Sequence, residues 1–88
     1  MAASGKIERQ IVRALIENDF ILTFHAERER MPQRSVRRAD IVECGRTAEN
    51  VSFDSKRGTY RVLGLDLDGD DLTVVVGIDR GVVVVTVF

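Results

Sequence analysis

The chain has very few of the residue types that build disulfides or tetrahedral metal sites. It contains one cysteine, Cys44, and one histidine, His25. A single cysteine cannot form an internal disulfide, which is typical of proteins from a reducing compartment. One cysteine and one histidine also exclude the usual Cys/His zinc arrangements. We therefore expect no metal and no cofactor, and we interpret Cys44 as a small apolar residue near a helix end.

Long apolar runs and a net charge of one sign are also missing. No stretch approaches the roughly 20 apolar residues of a membrane-spanning helix, and charges occur throughout residues 1–19, where a signal peptide would be apolar. We therefore predict a cytoplasmic protein without membrane contacts. The formal net charge is −1, so nucleic acid would have to be bound by a local patch. A chain of 88 residues predicts one domain, residues 1–88.

The acidic run 66–71, DLDGDD, has the composition of a calcium loop but not its spacing. The glycine expected after the third acidic ligand is replaced by Asp71, and the twelfth position, which needs a bidentate carboxylate, is Gly77. We therefore predict a solvated hairpin turn. No glycine-rich phosphate loop is present in the sequence either.

Before Asn50, apolar residues recur at helical spacing. Ile11 and Leu15 belong to an amphipathic first helix, for which Ser4 is the predicted cap and Asn18 the predicted end.

Two shorter helices are predicted to follow the first. Thr23 is the predicted N-cap of the second helix, which Pro32 limits. The third helix begins at Ser35 or Arg37 and is predicted to end at Gly45.

After residue 50 the chain is rich in valine and is interrupted by glycine-containing turns. Strands are predicted to begin near Val51, Tyr60, Leu72 and Val82. Residues 20–24 form either a short edge strand or the apolar lead-in to the second helix. Helices first and strands afterwards predict an α+β fold, with helices on one face of a mainly antiparallel four-stranded sheet. The predicted core consists of Ile11, Leu15, Val42, Val62, Val74, Val76 and Val84.

The stretch 24–38, FHAERERMPQRSVRR, is the strongest candidate for a functional site because it combines the histidine with a local excess of positive charge. It contains five arginines: Arg28, Arg30, Arg34, Arg37 and Arg38. Guanidinium groups bind phosphate bidentately, and several of them can bracket an RNA backbone. Cleavage of RNA without a metal needs a base, an acid and cations that stabilise the developing phosphorane charge.

An imidazole can be either the base or the acid near neutral pH, so His25 is the candidate for proton transfer. Arg30, Arg34 and Arg61 are candidates for charge stabilisation. Tyr60 and Thr86 are candidates for holding or relaying protons. The same residues also have a purely structural interpretation: His25 packed with one ring nitrogen bonded, the arginines paired with neighbouring carboxylates, and Tyr60 in the core.

The order His25-Ala26, Arg30-Met31 and Arg34 resembles a family of small bacterial domains of uncharacterised function. The pattern of that family is His-Ala-x-x-Arg-Met-x-x-Arg-Gly-Ile, followed by strands of the type Tyr60-Arg61-Val62 and Val85-Thr86-Val87. The family is similar to toxins of the RelE and MqsR type, which are mRNA interferases of toxin–antitoxin pairs.

The resemblance implies a RelE/barnase-like fold and metal-independent endoribonuclease activity in the cytoplasm. The catalytic residues that it implies are His25, Arg30, Arg34 and Tyr60. The RNA-binding residues that it implies are Arg28, Arg37, Arg38, Arg61 and Thr86. The implied partners are mRNA or the ribosome and an antitoxin protein.

Two positions depart from the family pattern. His25 and Arg30 are one residue farther apart than the pattern has them, and Ser35 replaces its glycine. In a regular α-helix the extra residue turns His25 by about 100° away from the arginines, unless the helix bulges or starts after His25.

The valine-rich strands favour a second function, a non-catalytic module that binds protein or oligomerises. Leu72–Ile78 and Val82–Phe88 are apolar on both faces, whereas the helices can cover only one face. We therefore predict a homodimer or an antitoxin contact through the open face of the sheet or through its last strand.

Overall fold

The computed structural model describes residues 5–88, in which helices come first and the long strands follow, as the periodicity predicts. The helical segments are α1 (Lys6–Ile16), a π-helical segment (Ala26–Arg30) that continues into α2 (Met31–Arg34), and α3 (Arg38–Arg46). The strands are β1 (Ile21–Leu22), β2 (Asn50–Asp54), β3 (Thr59–Leu65), β4 (Asp71–Ile78) and β5 (Val82–Val87). The predicted cap Ser4 lies outside the described residues.

The sheet has five strands in the order β1-β5-β4-β3-β2. Strands β2 to β5 are antiparallel neighbours, as predicted, but β1 adds a parallel pairing with Ile21 opposite Val83 and Leu22 opposite Val84. The predicted four-stranded antiparallel sheet is therefore a five-stranded mixed sheet. A two-residue strand is too short to show a periodicity, and it forms here because the chain passes along β5. The last strand is thus an inner strand, and β2 is at an edge.

Helices cover one face of this sheet. α3 packs on β3 and β4, and α1 packs on α3. The core predicted from the sequence is fully buried at Ile11, Leu15, Val62, Val74, Val76 and Val84. Val42 was predicted there too, but it is only partly buried, because the buried stripe of α3 runs through Ile41 and Cys44. None of the helices within residues 5–88 is long and apolar enough to cross a bilayer.

α1 ends at Ile16, and the predicted asparagine turns the chain two residues later. Asn18 adopts a left-handed conformation, with φ of 58°, which asparagine tolerates better than most residues. Its N–H donates to the Leu15 carbonyl at 3.1 Å, and the Asp19 N–H donates to the Ala14 carbonyl at 2.8 Å. These two bonds satisfy carbonyls that the helix end would leave free and turn the chain toward β1.

The prediction that Gly45 ends α3 was wrong, since the helix continues to Arg46. A Cβ atom at Gly45 would lie 2.8 Å from the Leu15 Cβ, so the glycine is needed for the close approach of α1. A Cβ atom at Gly64 would collide with the Cys44 carbonyl oxygen. The two glycines therefore let α3 fit tightly between α1 and β3.

The third helix begins after Arg37, the second of its two predicted starts. The Arg37 N–H donates to the Asp40 carboxylate at 2.9 Å, which satisfies a donor at the helix start. Asp40 is the buried charged residue of the described chain, and it also accepts the Leu67 N–H at 3.0 Å. This carboxylate therefore joins the start of α3 to the turn between β3 and β4. Ser35, the other predicted start, is left-handed and ends α2. The prediction that Pro32 limits the second helix was wrong, since Met31 keeps helical geometry and the helix runs on to Arg34.

Candidate functional site

Thr23 connects the sheet to the second helix, which carries most of the candidate residues. Its hydroxyl oxygen accepts the Ala26 N–H at 3.1 Å, which confirms the predicted N-cap. The Thr23 N–H donates to the Val84 carbonyl at 3.0 Å, and its hydroxyl donates to the Val85 carbonyl at 3.0 Å. The helix therefore starts against the outer side of β5, immediately after β1.

The first part of this helix has a π-helical hydrogen-bond pattern. The Met31 N–H donates to the carbonyl of Ala26, five residues before it, instead of the usual four. Ala26 and Met31 are both buried. The wider turn keeps both side chains on the core side. The helix therefore bulges, which is one of the two expected departures from regular α-helical geometry.

His25 lies at the start of the helix with its ring half exposed. The Nδ1 atom is 3.3 Å from Oε2 of Glu29, and both side chains are more than half exposed. The carboxylate orients the ring, and Nε2 is on the side of the ring opposite to that contact. The interpretation of His25 as a packed core residue is therefore excluded by its position, and the ring is accessible to a ligand.

Arg30 and Arg34 both extend to the end of the sheet where β4 starts and β5 ends. The Arg30 Nε–H donates to the Val87 carbonyl at 3.3 Å, and an Nη–H of Arg34 donates to the Asp71 carbonyl at 3.4 Å. Arg30 is partly buried, whereas Arg34 is exposed. The two arginines, which are four residues apart, therefore extend in a common direction from one side of the helix.

The remaining arginines of the stretch have different environments. Arg28 is exposed, with its guanidinium carbon 5.4 Å from the centroid of the Phe24 ring and its Nε 3.8 Å from a Glu27 carboxylate oxygen. Arg37 is exposed at the start of α3.

Arg38 is engaged in the fold. Its guanidinium donates to the Asn18 side chain at 2.9 Å and to the Phe20 carbonyl at 2.8 Å, and it lies 4.1 Å from the Phe20 ring centroid. These contacts tie α3 to the segment between α1 and β1. They arise between residues 18 positions or more apart, so no local sequence pattern predicts them.

A groove of about 450 Å³ lies on the sheet face opposite the helices. Arg61, Val75 and Thr86 are register partners across β3, β4 and β5, and all three line it. Its other lining residues are Asp54, Arg57, Thr59, Val85 and Phe88. The fold therefore brings together Arg61 and Thr86, two predicted RNA-binding residues that are far apart in sequence.

The charges of this groove are partly balanced. Asp54 Oδ2 lies 3.6 Å from an Nη of Arg61 and 3.9 Å from Nε of Arg57. Because one carboxylate lies between two guanidinium groups, these three side chains have a net charge of +1 beside the apolar lining of the groove. Asp54, Arg57 and Phe88 were not predicted as site residues, because only the strand register brings them next to Arg61.

Tyr60 faces the other side of the sheet from Arg61, since neighbouring residues of a strand alternate between faces. Its ring is partly buried and packs against Phe53 of the edge strand, with ring centroids 4.9 Å apart. The fold therefore does not bring Tyr60 into the groove with Arg61 and Thr86.

Strand β5 connects the groove to the second helix. The Val85 and Thr86 side chains line the groove, while the Val85 and Val87 carbonyls accept hydrogen bonds from Thr23 and Arg30. The helix with His25 and the groove with Arg61 thus border the same half of one strand.

The acidic turn, residues 66–71, is held by hydrogen bonds to one of its own carboxylates. Carboxylate oxygens of Asp66, Asp68 and Asp70 lie within 4.8 Å of one another. Oδ1 of Asp66 already accepts the backbone N–H groups of Asp68 and Asp70, each at 2.9 Å. These bonds hold the predicted hairpin turn, with Gly69 at φ of 84°.

Cys44 is fully buried in α3, as a small apolar residue would be. Its Sγ–H is 3.4 Å from the Leu72 carbonyl and 3.6 Å from the Val62 carbonyl. Burial raises the pKa of the Cys44 thiol to about 12. Because the thiolate is the nucleophile, Cys44 has no part in the chemistry of the surface.

Comparison with known proteins identifies a family match. A family model described as "Domain of unknown function (DUF4258)" matches residues 22–88. No curated protein and no solved structure matches the chain. The matched part runs from β1 to the C-terminal residue and leaves out α1.

Proposed function

Because the chain belongs to the family described as a domain of unknown function, DUF4258, and the match contains every candidate residue, we propose a function from these residues. We propose that the protein is a metal-independent endoribonuclease, an mRNA interferase of the kind found in toxin–antitoxin pairs. This is the function that the resemblance to RelE- and MqsR-type toxins implies.

One observation supports the proposal: the helix that carries a half-exposed histidine beside a carboxylate and a groove with arginine side chains border the same half of β5. His25 and Glu29 supply a group that can take up and release a proton. Arg61 and Thr86 supply a cation and a hydroxyl on the adjoining sheet face. An RNA strand that crosses β5 would contact both.

The proposed chemistry is internal transesterification. The base removes the proton of a ribose 2′-hydroxyl, the 2′-oxygen bonds to the adjacent phosphorus, and the bond from phosphorus to the 5′-oxygen breaks. The acid protonates the departing 5′-oxygen, which leaves a 2′,3′-cyclic phosphate and a 5′-hydroxyl. We assign one of the two proton transfers to His25 and the stabilisation of negative charge to arginines.

The arginines contribute unequally in this proposal. Arg28, Arg34 and Arg37 are exposed. A phosphate can replace the surface contacts that Arg28 makes with Glu27 and Arg34 makes with the Asp71 carbonyl. Arg30 is held against Val87, so its guanidinium is a fixed cation beside the last strand. Arg38 donates to carbonyl groups of the fold, and Tyr60 lies on the other sheet face. We therefore propose that both residues hold neighbouring elements in place and do not contact the RNA.

The test is cleavage of a single-stranded RNA labelled at both ends, by the purified chain with EDTA present and, separately, in a translating extract without EDTA. We expect His25→Ala to lower the rate by on the order of 10²-fold or more, because a positioned acid or base contributes that much. Arg34→Ala is expected to lower it strongly while leaving the fold unchanged, since an exposed arginine contributes little to stability. Circular dichroism checks the fold of each variant.

Arg46→Ala is the matched control, because Arg46 is an exposed arginine on α3, outside the second helix and the groove. It should cleave as the unmodified chain does. If the chain cleaves no RNA, free or ribosome-bound, or if His25→Ala and Arg46→Ala cleave equally well, the proposal is wrong.

A second candidate function, a protein-binding module, is favoured by a different observation. The open sheet face carries large apolar side chains that are substantially exposed: Ile21, Leu63 and Phe88. We propose that a second copy of this chain covers this face or, in a toxin–antitoxin pair, that the antitoxin does. Because Phe88 also lines the groove, a partner on this face would compete with RNA, and the proposed nuclease would act when the face is free.

A further inference from the structure

Phe24 is the most exposed large apolar residue among those the structure describes, with 73% of its surface accessible. It immediately precedes His25 and follows the N-cap Thr23, so its backbone is held where the helix leaves β5. A side chain this exposed contributes little to the core. Its position beside the histidine therefore indicates that the ring contacts a ligand.

The surroundings of Phe24 are cationic and polar. The guanidinium of Arg28 lies 5.4 Å from the ring centroid and can occupy one face of the ring at most. Residues 24–34 contain three arginines and two glutamates, and one of the glutamates is paired with His25. An aromatic face next to guanidinium groups is the arrangement that binds unstacked bases and the phosphates that flank them.

We propose that Phe24 is a stacking platform for one base of single-stranded RNA, and that Arg28 binds the phosphate next to it. This inference rests on the proposed function and specifies its substrate class: RNA whose bases are unpaired at the point of cleavage. A base on Phe24 places the adjoining ribose and phosphate close to the His25 ring. A paired base has both faces covered by its neighbours and cannot stack there.

The chain contains no tryptophan, so Phe24→Trp introduces a single indole fluorophore. The probe is a 2′-O-methyl oligoribonucleotide of about ten nucleotides, which covers one binding site and cannot be cleaved. We expect the single strand to quench the indole emission at least twofold at saturation, and a duplex of the same sequence to quench it little. Phe24→Ala should weaken binding of the single strand about tenfold, because stacking on one aromatic ring contributes roughly 1–3 kcal/mol.

Phe53→Trp is the matched control, because Phe53 is an exposed phenylalanine, 55% accessible, on the edge strand β2. Its emission should not respond to the oligonucleotide. Equal quenching of both variants, or unchanged affinity in Phe24→Ala, would overturn the inference.

The outcomes separate this inference from the proposed function. Cleavage by the unmodified chain without quenching of the indole emission in Phe24→Trp overturns the stacking platform alone. Quenching and tenfold weaker binding without any cleavage support the platform and overturn the nuclease. An emission that responds to protein concentration and not to RNA assigns Phe24 to a protein interface and overturns the inference.

Discussion

At the scale of single residues, the arginines of residues 28–38 have the same chemistry and different tasks. Arg38 donates to two carbonyl-bearing neighbours and covers the Phe20 ring, so it stabilises the fold. Arg30 donates a hydrogen bond to the Val87 carbonyl at the outer side of β5. Arg28 contacts only surface groups, Phe24 and Glu27. A guanidinium group stays available for a ligand when no backbone carbonyl lies close enough to accept its hydrogen bonds.

The buried thiol predicts how stability depends on pH. The pKa of Cys44 is raised from 9.0 to about 12 in the folded chain, so the unfolded chain releases this proton at lower pH. Between these values the unfolded state binds fewer protons than the folded state, so the free energy of unfolding falls as pH rises. The expected contribution is about 1.4 kcal/mol per pH unit. Urea unfolding of the unmodified chain and of Cys44→Ala between pH 9 and pH 12 measures it.

Cys44→Ala lacks the titrating thiol and should therefore lose less stability over this range. The native thiol should also react slowly with a thiol reagent and rapidly in urea. Equal pH dependence of the two chains would contradict the assignment.

Among the elements, the π-helical segment places one more residue in a turn than a regular α-helix does. Ala26 and Met31 are five residues apart and both buried, which a regular α-helix would not allow as well. Ser35 ends the same helix in a left-handed conformation, with φ of 55°. This helix therefore departs from regular α-helical geometry in its first part and at its end.

Deletion of Glu27 should therefore be tolerated. It makes Ala26 and Met31 four residues apart, so a regular α-helix buries both and every hydrogen bond joins residues four apart. We expect the free energy of unfolding, measured in urea, to change by no more than about 1 kcal/mol. RNA cleavage, where present, should persist.

Deletion of Glu43 from α3 is the matched control, because it also removes one glutamate from a helix. It turns Cys44 and Gly45 by about 100° away from their contacts and should destabilise the chain by several kcal/mol. A comparable loss of unfolding free energy in both deletions would show that the fold needs the π-helical segment.

At the scale of the whole molecule, the helices occupy one side of the sheet and leave the other to solvent. On that open side Leu63 is 40% exposed and Phe88 44% exposed. Strand β5, predicted to be a bare edge, is covered by β1, Thr23 and Arg30 instead. Association is therefore expected through the open face and not through the last strand.

The predicted association is measurable by light scattering on a size-exclusion column over a range of concentrations. We expect the mass of the unmodified chain to rise toward that of a dimer. Leu63→Arg should weaken dimerisation tenfold or more, because it places a charge in an apolar contact that must lose water.

Leu67→Arg is the control, since Leu67 is 53% exposed in the turn between β3 and β4. It should dimerise normally. A chain that is monomeric at all concentrations, alone and with a candidate antitoxin protein, would refute both the homodimer and the antitoxin contact.

Local sequence patterns predict the α+β order, the antiparallel pairing of β2 to β5, most of the core and the N-cap Thr23, because period, turn residues and capping are local properties. Contacts between distant residues set the parallel strand β1, the location of Gly45 inside α3 and the hydrogen bonds of Arg38, so no local pattern predicts these three features. Strand register and the alternation of faces place Arg61 and Thr86 in one groove and Tyr60 outside it. Residue types can nominate a histidine and several arginines as a site, but only the packing of the second helix against β5 determines which of them adjoin one surface.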